Sequence, residues 1–365
     1  MQAKARGPQG AVGQKGPETP IVSVCVVTGR RPEALGAMLR SLRAQVDPPP
    51  FEVLVCGTAD RDVADQVIAH FPTASVGLAT GARLGGARNF LLSEARGEWL
   101  YFVDDDVVVG PRVLHSLVEL SVRHPDVGVL GGPNETPPGS TRFQRTQGAV
   151  LGSLAGSGPV RRRYTSHGPA PARERDLILC NLAVRREAMV PFDASLTGAE
   201  ENGLLSQLAR LGVAMRYEPS LAVYHDRRPD LRSFARQMHK YGFGRGQLIA
   251  RSPRTVRVPY LVPVGLVLYL AVLPLLAWLS LWALVPLAAY LAWIMAGASK
   301  VAVGYRHDRL SAFAMSVLLL PVVHAAYGTG VLRGVSSGSS VPVSSFRWLD
   351  APVVDTAELG ASRGS

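Results

Sequence analysis

Three carboxylates stand side by side at Asp104, Asp105 and Asp106, between the apolar runs "WLYFV" and "VVV". Asp is common in solvated turns. This triplet, however, closes an aromatic and β-branched run of the kind buried on both faces of a parallel sheet. In open α/β sheets, ligands bind outside the carboxyl ends of the strands. Adjacent carboxylates repel, and a divalent cation removes that cost. Carboxylates combined with waters and substrate phosphates suit Mg²⁺ or Mn²⁺. The chemistry implied is a metal–diphosphate site.

Further residues have matching chemistry. Arg88 and Asn89 follow Gly85 and Gly86 at a helix start, and both helix N-termini and arginine favour phosphate. Arg83 is a second diphosphate candidate. Glu200 and Glu201, in "TGAEENGLL", precede Leu204, Leu205 and Leu208 at helical spacing. Acids in a first helical turn complement the dipole; a carboxylate here also suits a general base for a hydroxyl.

The elements that must position these groups alternate regularly. "IVSVCVVT", "FEVLVCG", "ASVGLAT" and "EWLYFV" read as strands. Between them "RRPEALGAMLRSLRAQ", "DRDVADQVIAHF" and "GARLGGARNFLLSEARG" read as helices. Such alternation means a parallel, doubly wound α/β sheet.

At this point the chain resembles the family 2 glycosyltransferases of GT-A fold, in their membrane-associated bacterial form. Four stretches carry the resemblance: "VVTGRRPEALGAMLRSL", "GARLGGARNFLLSEARGEWLYFVDDD", "FDASLTGAEENGLLSQLARLG" and "MRYEPSLAVYHDRRPDLRSFARQMHKYGFGRGQ". Together they span about residues 21–250, in the family's order. The resemblance implies a D-x-D motif in which Asp104 lies near the ribose or the metal and Asp106 is the direct ligand. It implies that His225 meets the metal or the diphosphate. Thr28 and Arg31 fall at the nucleotide-binding edge. Glu201 matches the family's base, with Glu200 its alternative. Donor and acceptor would be a nucleotide sugar and a hydroxyl of a glycan or lipid-linked saccharide, joined with inversion. The second strand departs from the family pattern, with Cys56 and Gly57 at its usual acidic positions; Asp60 or Asp62 is the substitute. A processive polysaccharide synthase would carry Q-x-x-R-W where this chain reads "QMHKYG", and a catalytically silent partner would not need the intact D-x-D and acidic pair.

The bulk composition adds a membrane. Charged residues make up 18% of the 365 residues and hydrophobic ones 47%, with net charge +11. No charged residue or histidine occurs from Val258 to Ser299. About 20 apolar residues cross a bilayer, so the run predicts a transmembrane hairpin over 258–299. Basic residues flank both ends (Arg251, Arg254 and Arg257; Lys300, Arg306 and Arg309), which places both in the cytoplasm, and the catalytic domain with them. The hairpin accounts for the basic balance through lipid headgroups, and no nucleic-acid module is present. A third apolar stretch, 310–332, reads as interfacial or spanning. The expected organisation is a disordered tail over 1–19, a GT-A domain over 20–250, the hairpin, the third helix and a flexible tail over 334–365 in which "FRWLD" docks. Cys25, Cys56 and Cys180 read as buried free thiols of a reducing compartment.

Overall fold

The structure is a computed structural model that describes residues 19–29, 31–57, 67, 69–71, 73–305, 308–337 and 345–348. Most of the helix expected over "DRDVADQVIAHF", together with Asp60 and Asp62, lies outside the described residues. So do the N-terminal tail before Thr19 and most of the C-terminal one.

The first half follows the expected alternation: β1 (Val22–Thr28), α1 (Pro32–Arg43), β2 (Phe51–Gly57), β3 (Ser75–Thr80), α2 (Leu84–Leu92) and β4 (Trp99–Asp104). A short β5 (Val107–Val109) leads to α3 (Val113–Arg123), β6 (Val127–Gly131) and β7 (Asn134–Glu135). Helices α4 (Arg142–Leu151) and α5 (Leu154–Ser157) precede β8 (Ala170–Pro171) and β9 (Asn181–Arg185). The domain ends with α6 (Glu200–Arg210), β10 (Ala214–Tyr217), β11 (Val223–His225) and α7 (Leu231–Arg251). Three long apolar helices follow, α8 (Val258–Leu279), α9 (Val285–Val303) and α10 (Arg309–Ser336), then β12 (Ser345–Trp348).

The main sheet has the order β12-β3-β2-β1-β4-β9-β6-β10-β8. Strands β3, β2, β1 and β4 are parallel neighbours, as their unbroken apolar character requires. β9 runs antiparallel between β4 and β6. Both faces are covered. Leu35, Met38 and Leu39 of α1 and Leu114 and Leu117 of α3 pack on one side, and Leu91 of α2 with Leu204, Leu205 and Leu208 of α6 on the other.

A third core joins the domain to the apolar helices. Val150, Phe234 and Met238 pack with Ile294 and Ala298 of α9 and with Leu319, Leu320 and Val323 of α10. Helices α7 and α10 approach closely through glycines. A Cβ built on Gly242 would stand 2.1 Å from the carbonyl oxygen of Tyr327, and one on Gly334 the same distance from that of Phe243. Small residues four apart permit this contact between backbones. At its start, Asp308 pairs with Arg142, whose Nη1 also donates to Ser311 (3.1 Å). In its middle, His324 Nε2 lies 2.8 Å from the carbonyl oxygen of Ala155. Thus α10 touches the α/β domain at both ends and in between. All three helices are long and apolar enough to cross a membrane. Trp278, Leu279, Leu281 and Trp282, at the turn between α8 and α9, are the most exposed apolar group.

Candidate active site

The parallel register of β1 and β4 sets Val27 opposite Asp104, so both strands end at one corner. There Asp105 is buried and turns back to β1. It accepts from the Thr28 hydroxyl (2.8 Å) and the Gly29 amide (3.3 Å). It joins the two strand ends through these bonds, and Asp104 and Asp106 line the cavity beside it. Arg31 spans Asp105 (3.1 Å) and Asp106. Arg88 Nη2 reaches Asp104 at 3.5 Å. His225 arrives because β11 pairs antiparallel with β5, which sets it opposite Val107, one residue beyond the triplet. Its Nε2 lies 3.1 Å from Asp106 Oδ1.

The electrostatics follow from this crowding. Burial would raise the Asp106 carboxyl, but His225 and Arg31 outweigh it and hold Asp106 well below the usual carboxylate range. Burial likewise disfavours the His225 imidazolium; Asp106 outweighs it and lifts the ring to about 10. Asp104 is moved up by desolvation, with Arg88 opposing. Among the described residues, no three His, Cys, Asp or Glu side chains form a metal cage. Two cavity-facing carboxylates with open positions nevertheless fit Mg²⁺ or Mn²⁺, which takes its other ligands from phosphates and water. Arg88 Nη1 is buried and has no protein partner among the described residues, an orphan donor beside that corner.

The acidic pair opens α6 behind Ala199, whose φ of 61° is left-handed. Glu200 is buried, its Oε1 has no partner among the described residues, and burial pushes its carboxyl up against the pull of Arg88. Glu201 faces another way. Its Oε1 accepts from Asn202 Nδ2 (2.6 Å) and Arg163 Nη1 (3.3 Å). Arg163 also donates to the carbonyls of Glu174 and Arg175 and to Asn202 Oδ1. Arg245 donates to the same Asn202 oxygen, and its guanidinium lies 4.1 Å over the Tyr260 ring of α8. Glu201 is therefore tied to the apolar helices, and Glu200 to the Arg88 corner.

A cavity of about 1150 Å³ contains Arg31, Arg88, Asp104–Asp106, Glu200, Glu201 and His225, and continues between α8, α9 and α10. Arg83 is not among its walls; it donates to the Ser195 carbonyl instead. Asn89 exchanges two hydrogen bonds with the Phe192 backbone (2.9 and 2.8 Å), which tie its amide to that segment. The basic stretch before the hairpin divides. Arg227 and Arg245 are buried, Arg232 is exposed away from the cavity, and half-buried Arg228 lines the cavity with the exposed Arg236 and Lys240. The three cysteines are buried and free.

Sequence reasoning missed Arg163, Asn202 and Tyr260. Arg163 ends the run "RRR", which reads as a solvated charge cluster, and nothing local marks its third member as buried. A usable signal was Asn202 beside the acidic pair, a polar residue on the buried face of α6 that needs a partner.

A mostly parallel sheet with an acidic corner at the end of β4 and carboxylates at the start of α6 has the GT-A architecture. Residues 23–189 match the profile of Glycosyl transferase family 2. The chain is 26% identical over 268 residues to succinoglycan biosynthesis protein ExoM of Rhizobium meliloti (strain 1021), covering 66% of this chain and 79% of that protein. It shares its fold with mannosyltransferase PcManGT from Pyrobaculum calidifontis, solved in complex with GDP-Man and Mn²⁺, at a TM-score of 0.56 and 20% identity over 87% of each chain. S. aureus TarS 1–349 in complex with UDP-GlcNAc gives a TM-score of 0.45 at 16% identity, over 84% of this chain and 90% of that one. The protein is a glycosyltransferase, with family 2 sequence over residues 23–189.

Proposed function

We propose that the protein transfers a sugar, with inversion, from a nucleotide-diphosphate sugar to a hydroxyl of a glycan or lipid-linked acceptor at the cytoplasmic face of the membrane. The observation that carries this reading is one cavity uniting Asp104, Asp106 and Arg88 with Glu201 and opening between the apolar helices. Asp106 and Asp104 would hold Mg²⁺ or Mn²⁺, which when bound supplies Lewis-acid stabilisation of the leaving diphosphate. Arg88 donates to a diphosphate oxygen through its orphan Nη1. His225 and Arg31 orient Asp106, and Thr28 holds the corner through Asp105. Glu201 accepts the proton of the acceptor hydroxyl as that oxygen bonds to the anomeric carbon and the diphosphate departs from the opposite face. One displacement of this kind inverts the centre. Glu200, packed near Arg88, belongs to the donor side.

For the membrane, the reading is a hairpin, α8 and α9, with both ends cytoplasmic, and α10 lying along the domain. Its contacts with the soluble domain at both ends and in its middle support that placement of α10. The ExoM likeness supports a place in cell-envelope polysaccharide synthesis. A thermal-shift panel of nucleotide sugars tests the donor site. One sugar nucleotide should stabilise the protein in Mn²⁺ and not in chelator, and the same one should slowly release nucleoside diphosphate. No metal-dependent shift and no release with any member would refute the reading.

A further inference from the structure

The cavity extends well beyond the carboxylates, and the walls of its far limb change character. Pro263, Leu266 and Tyr269 of α8 face Tyr290 and Trp293 of α9 across it. From Pro259 to Tyr269 the lining runs along one helix for about 15 Å at 1.5 Å per residue. None of these side chains is charged, and both tyrosine hydroxyls are used within the walls. Tyr269 Oη donates to the Ala283 carbonyl (2.7 Å) and accepts from the Leu287 amide (3.1 Å), which ties the α8–α9 turn across the far end. Tyr290 Oη lies 3.0 Å from His324 Nδ1, whose other ring nitrogen meets the Ala155 carbonyl. What remains towards the cavity is apolar surface.

The same cavity also carries surplus positive charge. Three of the cavity's arginines are paired with its carboxylates: Arg31 with Asp105 and Asp106, Arg88 with Asp104, and Arg163 with Glu201. Arg228, Arg236 and Lys240 have no carboxylate within ion-pair reach among the described residues, yet all three line the cavity. Arg236 and Lys240 are one helical turn apart on the same face of α7. An apolar limb with a cationic mouth is complementary to an amphiphile whose headgroup is an anion.

We propose that this limb binds the hydrocarbon of a membrane lipid with a phosphate headgroup, that Arg228, Arg236 and Lys240 hold the phosphate, and that this lipid carries the acceptor hydroxyl to Glu201. The last clause rests on the sugar-transfer reading; the binding site does not. The three parts fall to different elements lining one cavity: hydrocarbon to α8 and α9, phosphate to Arg228 and α7, hydroxyl to the start of α6.

The test uses the full-length protein in a non-ionic detergent and measures binding without turnover. The probe is dodecyl phosphate carrying a photoreactive diazirine at its terminal carbon, with adducts located by mass spectrometry. Adducts are expected at Leu266, Tyr269 or Trp293. Unlabelled dodecyl phosphate should compete at least about tenfold better than dodecanol or inorganic phosphate. A Cβ on Gly265 meets nothing within 4 Å, so a side chain placed there enters open space without straining the helix. Gly265→Ala should keep the labelling, and Gly265→Trp should lower it about tenfold or more. Adducts confined to the exposed turn Trp278–Trp282 would show partition into detergent and overturn the site. Equal competition by dodecanol would overturn the phosphate mouth, as would equal competition by inorganic phosphate the hydrocarbon limb. Undiminished labelling of Gly265→Trp would also refute the limb. Failure of sugar transfer alone would appear in the donor panel and leave these results standing.

Discussion

Glu201→Gln separates the chemical step from binding and fold. The amide keeps an oxygen where Glu201 Oε1 accepts from Asn202 and Arg163, so the local hydrogen bonds survive. The lost charge leaves Arg163, whose side chain is 8% exposed, without its carboxylate. Breaking a buried pair outright costs about 3–5 kcal/mol. Here Arg163 keeps the Glu174 and Arg175 carbonyls and the Asn202 oxygen, so a smaller loss, about 1–2 kcal/mol, is expected. The rate should suffer far more. Losing a general base slows the chemical step by about 10²–10⁴-fold, or about 3–5 kcal/mol of barrier. Donor affinity by calorimetry should stay near wild type, while single-turnover transfer at saturating donor collapses. Glu200→Gln, altered on the Arg88 side, is the control and should be milder in rate. If Glu200→Gln is the inert variant and Glu201→Gln the mild one, the roles are exchanged. If Glu201→Gln abolishes donor binding and spares the rate, the acceptor-side placement is wrong.

Asp106→Asn should instead weaken Mn²⁺-dependent donor binding and abolish turnover with the fold intact; near wild-type activity at low Mn²⁺ would remove Asp106 from the metal. Val256→Cys and Val303→Cys should both label from the cytoplasmic side and Leu281→Cys only from the other, with little background because the native thiols are buried; one-sided labelling of the first two sinks the hairpin. Gly242→Ala should lower stability by about 1–3 kcal/mol, although alanine is the better helix former by about 1 kcal/mol, because its Cβ meets the Tyr327 carbonyl; an unchanged or raised Tm would refute that contact. Burial acts to raise the Glu52 carboxyl, but Ser23 and Arg96 outweigh it and hold it low. Its stabilisation is therefore present above the ordinary Glu range and lost as pH falls through the folded value. Glu52→Gln should lower Tm at neutral pH and flatten its decline between about pH 5 and pH 3; an unaltered acid limb would exclude this group.

The parallel strands and the acidic corner were legible because their signals are local: unbroken apolar runs, a glycine-led helix, three adjacent aspartates. The apolar hairpin was legible for the same reason. What escaped depends on chain segments that meet only in three dimensions. β9 reads as one more apolar strand, and nothing in "NLAVR" announces that it runs backwards between β4 and β6. Arg245 reads as one of many cations before a membrane, yet it is fixed by an asparagine 43 residues earlier. Arg83 shows the opposite failure. Its place before a glycine-led helix suggested phosphate, while the fold brings the Ser195 carbonyl within its reach. Nothing local tells Asp105 from its neighbours in the triplet, and only the pairing of β1 with β4 gives it a partner in Thr28.

The outermost position in the sheet belongs to β12, paired antiparallel with β3. These neighbours lie at opposite ends of the coding order, with every apolar helix between them. A ribosome delivers β3 early and β12 almost last. Throughout the interval in which the three apolar helices are made, the nascent domain carries a strand edge without this partner, the kind of edge that recruits foreign strands. Under the proposed hairpin, only a chain whose membrane segment has returned to the side of the sheet can supply the missing neighbour. Closure of that edge is thus a record of correct insertion, written in backbone hydrogen bonds.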